Sequence, residues 1–510
     1  MNLLGMRLDA HDSNFSLYRD GDVEYVKTER IHNEKHHSYD NLWEWKPEIE
    51  RIFNVDADEL DGICIVVDSE SYGITQPLES EPFEPWPHVD NAECKVFRAD
   101  HHHAHAYSDW THIKTDGQVV IDGWGEEFTL DDGTKAFSGI SVYKNKNLIE
   151  RVFYRDNGNF VGSLGLNYSA VANLLDIQSR YDIDKPGKIM SLQSYGNFDE
   201  EFYKSYLKDS GLFPENIDNI FSIENWVEYK GSKHLAECHK LDWIKTIQDY
   251  ISDELVNFFD NYFDRSDTIL FSGGVAQNII WNTQLKKHFP NLIVLPHSAD
   301  GGLSLGALNM IAHKNGISLE TLDNYPFIQK DCCPNAPSDD TISLAADMLA
   351  NDKIIGWFQG NGPIGPRALG NRCILMNPEL ENAKDFINKK VKNREGFRPF
   401  SGTVLKEHED QYFDLDFDNP YMLYLAKVEG ELPAITHIDG TSRHQTLENE
   451  NKVYRTLIEK FYEKTGVPVV LNTSLNLGGK PIAGDKISAL SVYHETDLDA
   501  LFYGNDIYRK

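Results

Sequence analysis

The run Asp100-His-His-His-Ala-His-Ala106 sets four imidazoles, His101, His102, His103 and His105, into five positions. Imidazole is the commonest nitrogen ligand for a metal. If Asp100 caps a short helix, His101 and His105 lie one turn apart on a shared face. Two imidazoles at that spacing chelate one ion, and His102 and His103 then point elsewhere. The competing reading is a solvated polar turn, and this stretch alone does not separate the two.

A metal needs further ligands, and two segments offer carboxylates in a suitable setting. In VVIDGWGE (119–126) an apolar strand ends in Asp122, before glycines that let a phosphate approach the backbone. LPHSADGG (295–302) puts Asp300 in the same setting, near a helix start. Two histidines and two aspartates form a mixed N/O set, suited to Fe(II), Mn or Zn rather than Mg. Taken singly, each aspartate reads more simply as a turn or cap residue. FSGGVAQN (271–278) carries Gly273 and Gly274, then Asn278, where a nucleoside can lie close to the backbone. Most such glycine pairs are only turns.

A second set of groups is basic. GPIGPRALGNR (362–372) presents Arg367 and Arg372 on a glycine-rich loop. KKVKNREGFRPFSG (389–402) adds Lys389, Lys390, Lys392, Arg394 and Arg398, and HIDGTSRHQ (437–445) adds Arg443. LNTSLN (471–476) brings Asn472, Thr473, Ser474 and Asn476 after an apolar strand. Residues 352–401 hold nine Lys/Arg against five Asp/Glu, in a chain whose net charge is −32. Side chains binding the phosphates of small anions explain that island. A solvated basic helix face explains Lys389 and Lys390 equally well, but not arginines on glycine loops.

The elements around these groups are those of an α/β chain. LLGMRL and FSLYRDGDVEYVKTE read as a strand and a hairpin turning at Asp20-Gly21. GICIVV, QVVIDGWGEEFTL and TILFSGG read as strands; NIIWNTQLKKHF and DGGLSLGALNMIAHKNG read as helices. Glycine turns after strands place ligand sites at strand ends. CCPNAPSDD (332–340) is a break dividing residues 1–335 from 341–510. Beyond it come the helix TISLAADMLAN and the strands IIGWFQG, MLYLAKVEG and VPVVLNTSLN. No internal repeat is visible.

The bulk numbers agree with two domains, because 510 residues exceed one ordinary core. Hydrophobic and aromatic contents of 40% and 12% are those of a globular chain. The acidic balance opposes a general grip on nucleic acid, though not a local basic groove. No run approaches the roughly 18 apolar residues of a membrane helix. The segment MNLLGMRLDAHDSN lacks the basic and apolar regions of a signal peptide. Cys64, Cys94, Cys238, Cys332, Cys333 and Cys373 form no CxxC pair, which fits reduced thiols in a cytoplasmic setting without a zinc knuckle.

Ten ordered blocks carry a resemblance over nearly the whole chain. They are DAHDSNFSLYRDGDVEYVKTER, HHHAHA, DGWGE, GKIMSLQSYG, SGGVAQN, DGGLSLGA, GWFQGNGPIGPRALGNR, VKNREGFRPF, THIDGTSRHQT and TGVPVVLNTSLN. In these the sequence resembles the NodU/CmcH/TobZ family of O-carbamoyltransferases. The resemblance implies an N-terminal actin/sugar-kinase-like (TsaD-like) domain and a C-terminal YrdC-like α/β domain. The YrdC-like domain would join carbamoyl phosphate to ATP, giving carbamoyl adenylate and pyrophosphate, with ATP entering as its Mg complex. The intermediate would pass internally to the TsaD-like domain, which moves the carbamoyl group to a hydroxyl and releases AMP. The resemblance implies an iron-type metal on His101, His105, Asp122 and Asp300. It implies His11 as the base for the acceptor hydroxyl. It places Arg367, Lys392, Arg398, Arg443, Asn472 and Ser474 where carbamoyl phosphate and ATP are handled.

Three departures stand out. His103 replaces an apolar residue and leaves a spare imidazole near the expected metal. Gln277 replaces a leucine, and Leu475 replaces a phenylalanine in LNTSFN. The chain is also short for the family, which points to trimmed loops around the acceptor. Lysine outnumbers arginine 33 to 16, a bias of AT-rich genomes. On that ground the expected acceptor is a 5-hydroxymethylpyrimidine, such as 5-hydroxymethylcytosine, in phage-type DNA or as nucleotide, within a host cytoplasm. A buried site would need the base flipped out of a duplex. The alternatives are a natural-product or glycan hydroxyl and, in a second enzyme class, tRNA threonylcarbamoyl transfer. A bare actin-like nucleotide module would consume no carbamoyl phosphate. A monomer or homodimer without a membrane partner is expected.

Overall fold

The computed structural model describes residues 1–510 apart from 41–43, 68–75, 78–82, 86–94, 111–112, 155–162, 209–216, 218–219, 232–236, 320–321 and 333. Cys94 and Cys333 lie outside the described residues. The chain forms two compact units. One comprises Met1–Tyr25 and Ser38–Leu322, the other Val26–His37 and Asp323–Lys510. Within the second unit, the Lys27 amide donates to Gln329 Oε1 at 2.8 Å. Buried Arg30 donates to the Gly365 carbonyl at 3.0 Å. These bonds tie the early segment to the later chain.

The first unit contains two sheets of like order. In the first, Asp22–Lys27, Asn14–Arg19 and Asn2–Arg7 lie side by side, followed by Gly62–Val66, Lys95–Ala99 and Phe83–Pro85. Asn2–Arg7 is antiparallel to Asn14–Arg19 and parallel to Gly62–Val66, which is parallel to Lys95–Ala99. Asp20 and Gly21, with φ of 55° and 98°, make the expected hairpin turn. In the second sheet Gly117–Ile121 plays the part of the first strand. It pairs antiparallel with Lys135–Lys144, which pairs antiparallel with Asn147–Tyr154. On its other side it pairs parallel with Ile269–Ser272, itself parallel to Leu292–Val294.

With the short strands Gln76–Pro77, Phe83–Pro85 and Glu127–Thr129 set aside, both sheets run third, second, first, fourth, fifth, an internal structural repeat that the sequence does not display. Strand order depends on which faces are apolar, and apolar residues interchange with little cost while volume is kept. The central strands Gly62–Val66 and Gly117–Ile121 are buried throughout, as parallel strands covered on both faces should be. This is a mixed α/β architecture, as expected for the first domain.

Two helices exchange between the sheets. The helix His101–Ala106 follows the first sheet's strand Lys95–Ala99 and packs on the second sheet. The helix Leu303–Lys314 follows the second sheet and packs on the first. They meet at Gly306, where a Cβ would stand 1.9 Å from the Ala104 carbonyl oxygen. Only glycine allows that approach, and it brings the histidine helix against the chain that follows Asp300.

The second unit is built on a mixed seven-stranded sheet. Its order is Gln445–Leu447, Ser401–Leu405, Val469–Ser474, Arg372–Met376, Ile355–Phe358, Ala500–Tyr503 and Asp506–Arg509. The helices Asp339–Ala350 and Lys452–Thr465 pack on each other, capped by Ser338 and Asn451. The expected strand MLYLAKVEG is only Ala426–Val428. Asn419 explains the loss: its side chain accepts from the Leu423 amide and donates to the Tyr424 carbonyl, both at 2.9 Å. Those are groups a ladder would need. Among the described residues no helix is long and apolar enough to cross a membrane.

Candidate functional site

Asp100 caps the histidine helix as expected, its carboxylate accepting from the His103 amide at 2.8 Å. All four histidines are buried, which excludes the solvated turn. His101 and His105 point the same way. His105 Nε2 lies 3.2 Å from Asp122 Oδ2, and His101 Nε2 lies 3.7 Å from it. Both nitrogens stand 3.6 Å from Asp300 Oδ1. Four ligand atoms, one from each residue, lie within 4.8 Å of one another. Ligand bonds of about 2.0–2.2 Å at tetrahedral angles give edges of roughly 3.4 Å. The set therefore fits a divalent ion. The two Nε2 atoms are buried and make no hydrogen bond, as poised donors would.

The charges agree with that reading. Burial pulls the His101 imidazole down, but the charge of Asp300 and the closeness of the Asp122 and Asp300 carboxylates outweigh it and push it up to about 10. Burial raises the Asp300 carboxyl, yet His101 and His11 hold it well below the usual range. The protein thus concentrates negative charge where a cation would sit.

The other two histidines stay neutral. His102 bonds through Nδ1 to Ser141 Oγ at 2.8 Å, and burial lowers it to about 3. His103 packs edge-on against Tyr143 and beside Tyr107, with centroids 5.3 and 5.0 Å away, and burial lowers it to about 4. The expected spare imidazole near the metal is thus corrected: His103 faces an aromatic pocket and is not one of the four clustered ligands.

Next to this cluster, His11 is partly exposed. Its Nδ1 lies 2.9 Å from Asp12 Oδ2 and its Nε2 lies 3.8 Å from Asp300 Oδ2. Arg7, at the end of the first strand, reaches Asp9 at 2.6 Å and Asp300 at 3.6 Å. Sequence reasoning missed Arg7 and Asp9. The available signal was an Arg-x-Asp at a strand end, directly before AHDSN.

The glycine turn lies beside Asp122. Gly273 has φ of 94°, and a Cβ there would meet the Ile121 carbonyl at 2.2 Å. The Gly274 amide donates to Asp122 Oδ2 at 3.0 Å. Asn278 is engaged differently from a nucleoside contact. Its oxygen accepts from the Ile280 and Trp281 amides, capping the helix Ile279–His288, and its amide pairs with Gln248. Gln277 donates to Ser298 Oγ at 2.6 Å, and Leu475 is core.

In the second unit the basic residues part company. Arg372 is fully buried and bonds to Asp331 at 2.9 Å and to the carbonyls of Gln359, Gly360, Asn371 and Cys332. Its guanidinium also lies over the Phe358 ring at 3.6 Å. Reading Arg372 as an anion ligand on a loop is therefore corrected: it is the first residue of a strand and braces the surrounding turns. Lys389 and Lys390 are exposed, a solvated face.

Arg367, Lys392, Arg394, Arg398 and Arg443 form a cluster that feels its own repulsion. Burial and Arg398 lower Arg367 to about 10; burial and Arg398 lower Arg394 to about 9, against an opposing pull from Glu395. Burial, then Arg394 and Arg398, push Lys392 well down, and Arg443 follows for like reasons. Glu395 stands 3.9 Å from Arg398. Lys392 Nζ donates to the Ser474 carbonyl at 2.5 Å and to Asn476 Oδ1 at 2.6 Å. Arg443 donates to Ser401 Oγ at 3.0 Å. Asn472 is buried; its amide donates to Thr403 at 3.0 Å and its oxygen accepts no hydrogen bond. Ser401 was not foreseen.

Comparison with known proteins bears on both units. The carbamoyltransferase N-terminus family matches residues 91–309, and the carbamoyltransferase C-terminus family matches residues 346–510. The nodulation protein NolNO of Sinorhizobium fredii is 30% identical over 456 residues, 82% of this chain and 64% of that protein. The nodulation protein NolO of Bradyrhizobium diazoefficiens is 30% identical over 457 residues, 81% of this chain and 79% of that protein. The 3'-hydroxymethylcephem-O-carbamoyltransferase of Streptomyces clavuligerus is 32% identical over 256 residues, 48% of this chain and 49% of that protein.

Proposed function

The chain belongs to the carbamoyltransferase family, and from that premise we propose that it moves a carbamoyl group onto an acceptor hydroxyl in two steps, one in each unit. The observation that carries this reading is the cation cluster of the second unit. Buried cations without matching acids are costly, and a polyanion relieves them. ATP and carbamoyl phosphate supply that charge, which supports the second unit as the place of activation. There carbamoyl phosphate, water and ATP give carbamoyl adenylate, phosphate and pyrophosphate. Lys392, Arg398, Arg367 and Arg443 would stabilise the charge that develops on phosphoryl oxygens, and Asn472 and Ser474 would orient the substrates.

The first unit supports the transfer. An ion on His101, His105, Asp122 and Asp300, Fe(II) with Mn or Zn as alternatives, would supply Lewis-acid stabilisation of the adenylate phosphate. His11 does the proton work. With Nδ1 bonded to Asp12, the neutral form of His11 would present its Nε2 lone pair to the acceptor hydroxyl. The hydroxyl oxygen attacks the carbamoyl carbon, the C–O bond to the phosphate breaks, and AMP leaves with its electron pair. The Gly273–Gly274 turn, packed against Ile121 and bonded to Asp122, would bring the nucleotide beside that carboxylate. ATP and carbamoyl phosphate as substrates fit a cytoplasmic enzyme.

For the acceptor we propose a ring hydroxymethyl group, in the form of a 5-hydroxymethylpyrimidine in DNA or as nucleotide. The lysine bias of the sequence supports it. The second reading is a small-molecule or glycan hydroxyl, favoured by the hydroxymethylcephem and nodulation relatives. The test supplies ATP and carbamoyl phosphate and offers hydroxymethylated DNA, its nucleotides and small polyols. Mass spectrometry then reads the increment of one carbamoyl group. Label on the pyrimidine is expected; label only on polyols overturns the acceptor, and consumption of threonine in its place overturns the reaction.

A further inference from the structure

Asp300 is shared between two sets of groups. Its Oδ1 faces the imidazoles, 3.6 Å from both His101 Nε2 and His105 Nε2. Its Oδ2 faces away from them, 3.6 Å from Arg7 Nη2 and 3.8 Å from His11 Nε2. Arg7 is itself fixed, since its Nη1 donates to Asp9 Oδ1 at 2.6 Å. Arg7, Asp9 and Asp300 are all buried.

A guanidinium is costly to bury, and it is retained where its fork meets carboxylates in fixed geometry. Here the fork spans two of them, Asp9 at a loop start and Asp300 at the opposite edge of the cluster. Two consequences follow for a bound ion. With Oδ2 turned to Arg7, 3.6 Å away, Asp300 would offer an ion one oxygen and would leave a coordination position open, as catalytic sites require. Released from Arg7, the carboxylate can turn and close that position with its second oxygen. The second consequence concerns charge. Asp9, Asp12, Asp122 and Asp300 together outweigh a divalent ion, and Arg7 offsets part of the excess. Without it, a phosphate-bearing ligand meets a more negative site.

We propose that Arg7 is a positioning residue of the metal centre, holding Asp300 to one-oxygen coordination and keeping the site receptive to an anion. The inference rests on the metal reading under Proposed function. Its test uses Co(II) as the probe ion, whose visible band weakens as coordination number rises, and AMP as the probe anion. The full-length wild type is loaded with Co(II) and titrated with AMP by calorimetry, then compared with Arg7→Met and Arg7→Lys. In Arg7→Met, Co(II) is expected to stay bound with a weakened band, and AMP affinity to fall about tenfold or more. Arg7→Lys keeps the charge without the fork, so AMP affinity should be largely restored while the band stays weak.

A wild type that takes up no Co(II) overturns the metal reading and this inference with it. A wild type that binds, beside an Arg7→Met with the same band and AMP affinity, overturns the inference alone. Should Arg7→Met lose its circular-dichroism signature, Arg7→Lys decides: a band of wild-type strength overturns the inference, and a weak one upholds it.

Discussion

His105 Nε2 stands 3.2 Å from Asp122 Oδ2, the shortest of the four approaches between the imidazoles of His101 and His105 and the carboxylates of Asp122 and Asp300. Neither ring nitrogen of His105 makes a hydrogen bond, although the side chain is fully buried. A buried imidazole without bonds is unfavourable in the free protein and favourable as a metal ligand. His105→Ala should therefore cost more than the roughly 10–100-fold that loss of an outer-shell partner costs in metal affinity. Elemental analysis after dialysis checks it, with circular dichroism showing that the fold survives. Full metal content in His105→Ala would remove this residue from the ligand set.

His103 gives a prediction in pH rather than in metal. Its imidazole is held at about 4, against 6.5 for a free histidine, because burial disfavours its charge. Between those values the unfolded chain takes a proton that the folded chain refuses, so stability falls as pH drops through the window. The full contribution is about 3 kcal/mol, reached near pH 4. His103→Leu should flatten the melting temperature against pH between roughly 4 and 6.5, with metal content unchanged. Equal slopes in the two proteins would contradict the burial argument.

The cation cluster should trade stability for binding. Arg443 is pushed well down by burial and by Arg367, Arg394 and Arg398, so removing it relieves repulsion in the unliganded protein. Arg443→Ala should melt no lower than wild type without ligand. The same change should weaken ATP binding by about 1.5–3 kcal/mol, roughly ten- to hundredfold. Added pyrophosphate should raise the wild-type melting temperature and raise that of the variant less. A variant that melts lower and binds ATP normally would mark Arg443 as structural.

Arg372 should behave in the opposite way. Its removal leaves Asp331, buried beside it, without its closest cation, and frees four carbonyls. Breaking a buried pair by removing one partner costs about 3–5 kcal/mol. Arg372→Met should lose stability of that order in denaturant unfolding, while the folded fraction binds ATP with unchanged affinity. Normal stability with lost binding would return Arg372 to the anion site.

These two arginines show where sequence reading reaches its limit. Arg367 and Arg372 sit five positions apart on one glycine-rich motif, and only the start of the strand Arg372–Met376 turns the second inward. The histidine pair was legible because its determinants are local, a capping aspartate and a four-residue spacing. Asp122 and Asp300 were legible as strand-end and helix-start residues. Arg7 was not, because its partner Asp300 is remote in sequence and the local Arg-x-Asp signal points only to Asp9. Membership of Val26–His37 in the second unit was hidden for the same reason: Lys27 and Arg30 bond to Gln329 and Gly365. The repeated strand order was invisible because apolar strands conserve pattern, not identity.

The strongest test of the two-step reading is that its halves come apart. Lys392 Nζ is held among the oxygens of Ser474 and Asn476 and lies within the charge field of Arg394 and Arg398, in the second unit. Asp122 closes the histidine cluster in the first unit. If activation belongs to the one and transfer to the other, Lys392→Met should abolish pyrophosphate release that depends on carbamoyl phosphate. Asp122→Asn should leave that release measurable while no acceptor gains a carbamoyl group. The adenylate made by Asp122→Asn would then be lost to water, so pyrophosphate release should no longer respond to added acceptor. In wild type the acceptor should both be labelled and speed release. Loss of pyrophosphate release in Asp122→Asn would show that the histidine cluster serves activation as well, and the division of labour between the units would fall.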